Sequence, residues 1–508
     1  MNLRRDTLMN DTILIKSNVM NRIAGFLQYF ILFFSAYYIL TYIIIALLRM
    51  NYPFDIEWME GGMVEHVYRL LKGLPIYTQP SLEFIPFIYT PGYFYFSELA
   101  ANIFGIGYFP LRLVSFLASM IFLFFIYLIV KKETGSKQLG LISAGLFAAC
   151  YEISGFWFDL ARVDSLFLAF FIVAVFLLRF YNGNLSLLTA GILTALSFLT
   201  KQSALIFIIP LILYIVYSRK WKSIFFILPL IIISGCICYY INLESEGWFN
   251  YWLFELPAGH QWIYQKLISF WISDILNPLA FAFLISLMFF FIKIFNKTFK
   301  KSAFYLVFAI GMFGCSWLSR IHLGGYDNVL MPAFLSISIL FGLGIKEFQK
   351  IFAKFNFEGN QFLKLFILIS ISAQFFTLFY NPLLQIPNKN DYEYGRQLVE
   401  EIKKNDGEVY IPDHPYIARY AGKKSFSHYY VFQDYLASNS HIKENLWLEY
   451  MNALKNKEFS VIILDSYTGY EEIEKHYKFE RVIFPRDNYL KCRTGGHKTR
   501  PEYVYVPK

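Results

Sequence analysis

Charged residues are scarce in this 508-residue chain: Asp, Glu, Lys and Arg make up 16% of it, against about 25% in an average soluble protein. Because 56% of the residues are apolar, a single soluble domain is excluded. One helix per roughly 20 apolar residues leaves room for many membrane crossings. The composition therefore predicts a polytopic membrane protein, in which the net charge of +9 reports on cytoplasmic loops and not on nucleic acid binding.

Cysteines and ligand-binding motifs are scarce as well. Four of the five cysteines lie in or beside apolar runs, and Cys492 stands without a second cysteine in its polar region, which excludes an intramolecular disulfide framework there. The C-terminal region contains no G-x-G-x-x-G or P-loop, and no H-E-x-x-H or C-x-x-C spacing occurs. A nucleotide site therefore has no support, no cofactor is required, and a divalent cation is unsupported.

Long apolar runs predict the topology. Eleven of them predict membrane helices, at 26–48, 109–130, 139–153, 165–180, 185–200, 202–217, 223–242, 275–292, 303–318, 329–345 and 361–380. The first run is longer than the apolar core of a signal peptide and has no small-residue cleavage site after it, so it is expected to persist as a helix. With the N-terminus inside, the inner segments carry nineteen basic residues and the outer segments before residue 381 carry eight. This asymmetry predicts the orientation.

The predicted crossings divide the chain into three parts. They are a cytoplasmic tail at 1–22, a mostly α membrane helical bundle at 23–380 with an outer loop at 49–108, and an extracytoplasmic domain at 381–508. An inner or plasma membrane location is expected. The last part has 19 basic and 18 acidic residues, as a solvated surface does, and its pattern predicts a small α/β domain. The expected strands are Glu408–Pro412, Phe459–Asp465, Phe479–Pro485 and Tyr503–Pro507, and the expected helices are Asp391–Lys404 and Lys443–Lys455.

Three carboxylates, Asp55, Glu57 and Glu60, fall within six residues of the outer loop. They lead into an amphipathic stretch, Glu57–Lys72, which predicts a helix at the membrane interface. Pro75, Pro80, Pro86 and Pro91 then interrupt the chain, the last of them within the aromatic segment at 89–96, and such a loop can cover a cavity. The alternative is that the three acids are solvated loop charges, but the Trp and the Met among them favour burial.

Residues 157–165 read Trp-Phe-Asp-Leu-Ala-Arg-Val-Asp-Ser and lie between the third and fourth predicted helices. Asp159 and Arg162 stand at i,i+3, a spacing at which they can pair. The alternative to a functional site is a short capped turn held by this pair, with Asp164 or Ser165 capping the fourth helix. Arg162 is expected to lie within the membrane or close to it, where an ionisable group usually faces a protein interior or a polar cavity.

Two further outer junctions carry cations. Lys201 separates two apolar runs where the charge bias disfavours lysine, and the alternative to ligand binding is snorkelling to lipid headgroups. Arg320 opens the segment Arg-Ile-His-Leu-Gly-Gly-Tyr-Asp-Asn, in which His322, Tyr326 and Asn328 offer polar groups. All these residues map to the predicted outer face. Acids facing several cations at a membrane interface favour chemistry on an anionic lipid phosphate.

In this order the motifs resemble the polyprenyl-phosphate-sugar-dependent glycosyltransferases of the GT-C superfamily, including glycosyltransferase family 39, the protein O-mannosyltransferases and the lipid A aminoarabinose transferases. The resemblance covers roughly residues 20–380. Its elements are the acidic motif of the outer loop, Leu-Lys-Gly-Leu-Pro-Ile-Tyr at 71–77, Tyr-Thr-Pro-Gly-Tyr at 89–93, Arg-Val-Asp at 162–164 and Leu-Thr-Lys-Gln at 199–202. Many relatives carry adjacent Asp-Glu in the first loop, whereas here the acids are separated.

The resemblance implies an inverting glycosyltransferase that moves a sugar from a polyprenyl-phosphate donor to an extracytoplasmic glycan, lipid or protein. Glu57, or else Asp55, would be the general base. Lys201, assisted by Arg162 and Arg320, would bind the donor phosphate. The further candidates for the substrate pocket are Glu60, Asp164, His322, Tyr326 and Asn328.

Two other classes of function compete with this interpretation. A transporter or flippase for a lipid-linked glycan would also need a cationic cavity, but such proteins often show internal repeats, and no convincing repeat is present. A scaffold with a soluble binding domain would not need eleven helices for anchoring. The large acidic outer loop favours a catalyst.

Overall fold

The architecture is a helical bundle with a small sheet-containing domain at one end. A computed structural model describes residues 2–354, 359–437, 443–467, 469–484, 494 and 501–508. The long helices up to residue 244 are α1 (Asn2–Arg49), α2 (Glu60–Leu71), α3 (Gly92–Phe104), α4 (Tyr108–Thr134), α5 (Lys137–Ala149), α6 (Asp164–Phe180), α7 (Asn184–Thr200), α8 (Leu205–Arg219) and α9 (Ile224–Glu244). The helices that follow are α10 (Trp248–Asn250), α11 (Leu256–Ala258), α12 (Lys266–Ser269), α13 (Asn277–Phe295), α14 (Ala303–Arg320), α15 (Met331–Lys354) and α16 (Gly359–Thr377).

Each of the eleven predicted apolar segments forms a helix, because in an apolar environment a helix hydrogen-bonds the backbone N–H and C=O groups within the segment itself. By length and hydropathy, seven helical stretches in the described part of the chain can cross a membrane. Helix α5 has 13 residues and α6 has 17, which is short of the roughly 20 that a full crossing needs. The protein is therefore an integral membrane protein by composition and fold, while the count of eleven crossings stays a prediction.

The outer-loop helix α2 begins at Glu60, three residues later than the pattern predicts. Its first eight residues are buried, and α2 packs on α3, α4 and the C-terminal helix α18 (Pro415–Tyr420). Protein therefore covers the start of this helix, and the interfacial position expected from its amphipathic sequence applies at most to the more exposed end at Leu70 and Leu71.

The C-terminal domain contains the predicted small sheet. Its strands are β1 (Glu408–Tyr410), β2 (Phe459–Leu464), β3 (Tyr477–Val482) and β4 (Tyr503–Pro507), in the spatial order β1-β2-β4-β3. Strands β1 and β2 are parallel, and β4 pairs antiparallel with β2 and β3. The other helices are α17 (Lys389–Lys403), α19 (Tyr429–Ala437), α20 (Lys443–Lys455) and α21 (Glu471–His476). The predicted helices and strands are confirmed to within a few residues, while Pro485 and Cys492 lie outside the described residues.

The C-terminal domain packs directly on the outer loop. A Cβ added to Gly395 of α17 would lie 1.9 Å from a ring carbon of Phe54, so only glycine allows this approach. In the same way, a Cβ on Gly61 of α2 would lie 3.2 Å from the Cβ of Tyr416 in α18. The outer loop is therefore held between the bundle and the C-terminal domain, which must lie on the same side of the membrane as the loop.

Candidate active site

All three carboxylates of the outer loop are buried. Glu57 and Glu60 are 0% exposed and Asp55 is 3% exposed, so the alternative of solvated loop charges is wrong. A buried carboxylate requires partners, because its transfer out of water is costly unless it is paired and hydrogen-bonded. The partners differ between the three acids, and this difference separates their roles.

Both carboxylate oxygens of Glu60 accept hydrogen bonds. Arg112 in the first turns of α4 donates from Nε to Oε1 at 2.9 Å and from Nη2 to Oε2 at 2.6 Å. The backbone N–H groups of Ile56 and Ala161 each donate to it at 2.8 Å. Burial acts to raise the Glu60 pKa, but Arg112 and these donors outweigh it and hold the pKa below its usual range. Glu60 is thus placed to hold the outer loop against α4.

Asp55 connects three parts of the protein. Its Oδ1 accepts from the Gly61 N–H and from the Tyr108 hydroxyl, both at 2.9 Å. Its Oδ2 lies 2.7 Å from Nδ1 of His414 in the C-terminal domain, and the other nitrogen of that ring lies 3.3 Å from Asp465. Burial acts to lower the His414 pKa, but the two carboxylates outweigh it and raise the pKa well above its usual value. This places a protonated imidazole between Asp55 and Asp465.

Glu57 has a vacant acceptor. Arg162 Nη1 donates to its Oε2 at 3.1 Å, whereas its buried Oε1 has no hydrogen-bond partner in the described chain. Burial raises the Glu57 pKa to about 7; the negative charges of Glu60 and Asp55 reinforce it, and Arg162 and the backbone N–H of Met59 oppose it. A carboxylate with such a pKa and a vacant oxygen can accept a proton near neutral pH.

Arg162 does not pair with Asp159, and the expected i,i+3 pair is wrong. Asp159 instead receives two hydrogen bonds of 2.7 Å from Arg49 at the end of α1, because both chain segments are buried at the same level of the bundle. Arg162 Nη2 donates to the Tyr89 hydroxyl at 2.8 Å. Its Nε has no partner among the described residues, so this guanidinium retains a donor.

Lys201 and Asp164 form a second buried pair. Lys201 Nζ donates to Asp164 Oδ1 at 2.6 Å, and Asn328 Nδ2 donates to the same oxygen at 3.0 Å. Lys201 is 8% exposed, so the snorkelling alternative is wrong. Asp164 is the first residue of α6 and forms this pair, and neither it nor Ser165 stands in the N-cap position, which Val163 occupies. Within the described chain Asp164 Oδ2 has no partner.

The Tyr-Thr-Pro-Gly motif brings these two pairs together. Thr90 Oγ1 donates to the Phe198 carbonyl of α7 at 3.0 Å, and Gln202 donates to the Ile88 carbonyl at 2.6 Å. A Cβ on Gly92 would lie 2.7 Å from the Leu199 carbonyl oxygen. The motif therefore fixes the start of α3 against the end of α7, with Tyr89 beside Arg162.

A cavity of about 590 Å³ is lined by Arg162 of the first pair and by Asn328, which donates to Asp164 of the second pair. Glu57, Asp164 and Lys201 themselves do not line it. The C-terminal domain contributes Tyr430, Val431 and Asp434 to its wall, and the outer loop and the bundle contribute Met59, Phe87, Ile88, Tyr89, Arg162, His260, Leu323, Gly324, Tyr326 and Asn328. The C-terminal domain thus completes a cavity whose lining includes the cation of Arg162 and the carboxylate of Asp434.

Arg320 and His322 do not line this cavity. Arg320 donates two hydrogen bonds to Asp274, at 2.8 and 2.9 Å, and lies 3.1 Å from Asp327. The Nε2 of His322 lies 3.0 Å from the Pro257 carbonyl. These contacts hold the segment 320–328, which presents Tyr326 and Asn328 to the cavity.

Comparison with known proteins supports the resemblance. Residues 89–240, less than a third of the chain, match the family of dolichyl-phosphate-mannose-protein mannosyltransferases. The structure is similar to ArnT from Cupriavidus metallidurans in the apo state, with a TM-score of 0.59, 12% identity and coverage of 93% of this chain and 98% of that chain. The resemblance to the GT-C superfamily is confirmed. ArnT of the same organism bound to undecaprenyl phosphate is similar at a TM-score of 0.60 and 12% identity, over 93% of this chain and 97% of that chain. No curated protein matches the chain significantly.

The part of the chain matched by the mannosyltransferase family includes Tyr89, Arg162, Asp164 and Lys201. The acids of the outer loop precede it, so their assignment depends on the contacts described above. No group of three or more His, Cys, Asp or Glu side chains in the described residues has an arrangement suited to a metal ion.

Five residues of this site were missed from sequence: Arg49, Arg112, His260, His414 and Asp434. Arg49 and Arg112 counted only as outer basic residues, although their presence against the charge bias was a signal. His414 and Asp434 lie more than 350 residues after the acids of the outer loop, and no local pattern connects residues so far apart in sequence.

Proposed function

We propose that the protein is a membrane glycosyltransferase that transfers a sugar from a polyprenyl-phosphate donor to a hydroxyl acceptor with inversion. The observation that carries the proposal is that two buried ion pairs, Glu57–Arg162 and Asp164–Lys201, lie beside a cavity that Arg162 lines. One pair contains a carboxylate with a vacant oxygen, and both contain a cation. This is the combination that displacement of a lipid phosphate by an alcohol requires.

Glu57 acts as the general base in this proposal. The acceptor oxygen attacks the anomeric carbon, its proton passes to Glu57 Oε1, and the bond from the anomeric carbon to the phosphate oxygen breaks. The electron pair of that bond leaves with the polyprenyl phosphate. A raised pKa strengthens Glu57 as a base, and general-base catalysis contributes roughly 10²- to 10⁴-fold.

Arg162 and Lys201 stabilise the leaving phosphate. The unpaired Nε of Arg162 gives it a donor to offer, and charged donors in a site sheltered from water act strongly on developing negative charge. The ArnT structure that contains undecaprenyl phosphate supports a lipid phosphate as the donor group. The contacts of Arg320 favour a positioning role for it on the segment 320–328.

The acceptor approaches from the side of the C-terminal domain. His260 and Asp434 line the same cavity as Arg162, and their Nε2 and Oδ2 atoms lie 3.1 Å apart, so their polar atoms can bind acceptor hydroxyls. Together with the excess of basic residues in the opposite loops, this favours an extracytoplasmic acceptor such as a cell-surface glycan, lipid or protein. A flippase would bind the same donor without transferring its sugar.

Glu57→Gln tests the proposal. It keeps the size of the side chain and removes the base, so sugar transfer from a radiolabelled polyprenyl-phosphate sugar should fall by about 100-fold or more. Glu83→Gln, which removes an exposed acid of the same loop (60% side-chain exposure), should transfer at the wild-type rate. Donor binding should persist in both variants.

The pH dependence gives a second readout of the same experiment. Because the active form of Glu57 is the carboxylate and its pKa is about 7, the wild-type rate should fall about tenfold per pH unit below pH 7. The residual rate of Glu57→Gln should not show this fall below pH 7. A wild-type rate in Glu57→Gln would overturn the assignment and make Asp164, with its vacant Oδ2, the next candidate base. Donor binding without any transfer by the wild type would favour a flippase.

A further inference from the structure

A second charged pocket lies within the bundle. Its volume is about 520 Å³. It is lined by Glu133, Thr134, Arg179, Phe289, Lys293, Tyr305, Leu343, Lys346, Glu347 and Lys350. None of these residues takes part in the site described above.

The helices place this pocket at the opposite end of the bundle. Helix α4 has 27 residues and therefore rises about 40 Å. Near its start Tyr108 contacts Asp55, and near its end Glu133 lines the second pocket. Helix α6 likewise starts with Asp164 and has Arg179 in its last turn. The two sites are thus separated by approximately the thickness of a bilayer.

The pocket has more cations than acids. Four basic side chains and two carboxylates line it. Arg179 pairs with Glu133, and Glu347 accepts from Lys293 at 3.0 Å and from Lys350 at 2.6 Å. Lys346 makes no ion pair among the described residues. Since Lys293 is only 17% exposed, the positive charge is partly recessed, and a recessed excess of one sign attracts an ion of the other sign.

The surroundings of the pocket are apolar. Phe289 and Leu343 form part of its wall. The same end of α13 exposes Phe291 (52%), Ile294 (54%) and Phe295 (84%) on its outside, as a helix in contact with lipid chains does. An anion with an apolar tail would match both the charge of the pocket and this outer surface, whereas a free anion would use the charge alone.

We propose that this pocket binds the phosphate-bearing headgroup of an anionic membrane lipid. The shared chemistry is a phosphate ester held by lysine and arginine, which a soluble phosphate ester also offers. Basic pockets between membrane helices are known binding sites for anionic headgroups. The proposal is independent of the function proposed above, because it concerns residues at the other end of the bundle.

The experiment measures lipid binding to the full-length protein in detergent by native mass spectrometry. The probes are phosphatidylglycerol, phosphatidylcholine and glycerol phosphate, and the variants are Lys346→Gln and the matched control Lys300→Gln, which removes an exposed lysine that does not line the pocket. Phosphatidylglycerol should bind in preference to phosphatidylcholine. Lys346→Gln should weaken it roughly fivefold, in line with one cation at an anionic group, and Lys300→Gln should leave its affinity unchanged.

The three probes distinguish the possible results. Binding of phosphatidylglycerol that depends on Lys346, with little binding of glycerol phosphate, supports a lipid site. Equal affinity for glycerol phosphate, with the same dependence on Lys346, overturns the lipid assignment and identifies a site for soluble phosphate esters. Equal affinity for phosphatidylcholine, or equal losses in Lys346→Gln and Lys300→Gln, shows that no specific anion site exists here.

Discussion

The two ends of the bundle differ in how their charged side chains are paired and buried. At the end that has the candidate active site, Arg112, Arg162 and Lys201 each meet one carboxylate, and their side chains are at most 10% exposed. At the other end four cations and two acids line one pocket, three of these cations pair with the acids, and Lys350 is 54% exposed. A deeply buried charge needs a matched partner, whereas a partly hydrated surface tolerates an excess. The first end is therefore suited to holding reacting groups in place, and the second is suited to attracting an ion.

The largest expected effect comes from breaking a fully buried pair. Arg112→Met leaves Glu60 without its main partner and should lower the free energy of unfolding by about 3–5 kcal/mol. Lys403→Met, which breaks a pair with Glu400 where the two side chains are 50% and 64% exposed, should cost about 1 kcal/mol or less. Thermal unfolding of both variants in detergent measures the difference.

A double variant controls this comparison. If the loss in Arg112→Met comes from the uncompensated charge of Glu60, the variant with both Arg112→Met and Glu60→Gln should regain part of the stability. An equal loss in Arg112→Met and Lys403→Met would contradict the distinction between buried and exposed pairs.

A smaller effect is expected from substitution of Lys201, which should weaken donor binding in addition to any effect on folding. Lys201→Ala should weaken binding of the polyprenyl-phosphate donor by roughly 10- to 100-fold, because a charged hydrogen bond contributes about 1.5–3 kcal/mol. Lys201→Arg keeps the charge with a different geometry and should retain part of the affinity. Lys72→Ala, an exposed lysine of the outer loop, is the control. Unchanged donor affinity in folded Lys201→Ala would remove Lys201 from the site.

The smallest effect concerns the contact between the outer loop and the C-terminal domain. Because the His414 pKa is raised in the folded protein, its stabilising contribution is fully present below about pH 6.5 and decreases as pH rises toward the folded pKa. The stability difference between the wild type and His414→Asn should therefore shrink by about 1 kcal/mol per pH unit above pH 6.5. Thermal unfolding between pH 6 and pH 9 measures this.

His322→Asn is the control for the pH series, since its ring bonds only to backbone carbonyls among the described residues. Its stability difference from the wild type should not follow the trend of His414→Asn. A difference for His414→Asn that stays constant with pH would show that the imidazole is not held in its charged form by Asp55 and Asp465.

Much of the secondary structure followed from local patterns. Helix α20 has the predicted bounds, Lys443–Lys455, and the strands lie where apolar runs alternate with turns. These elements were predictable because helices and strands depend on neighbours a few residues apart. The Asp159–Arg162 pair was predicted wrongly because helix spacing compares only residues that are near in sequence. Asp159 pairs instead with Arg49, which lies 110 residues away in sequence.

The sequence by itself determined that the chain is a helical membrane protein, that its unusual charges gather at one end, and that its motifs resemble the GT-C superfamily. Hydropathy and charge bias are sums over local segments, so no folding is needed to evaluate them. Only the tertiary structure decided that Glu60 and Asp55 are fully hydrogen-bonded while Glu57 keeps a vacant oxygen. Each partner of a buried charge comes from a different helix or domain, and its choice depends on which groups burial brings within hydrogen-bond distance.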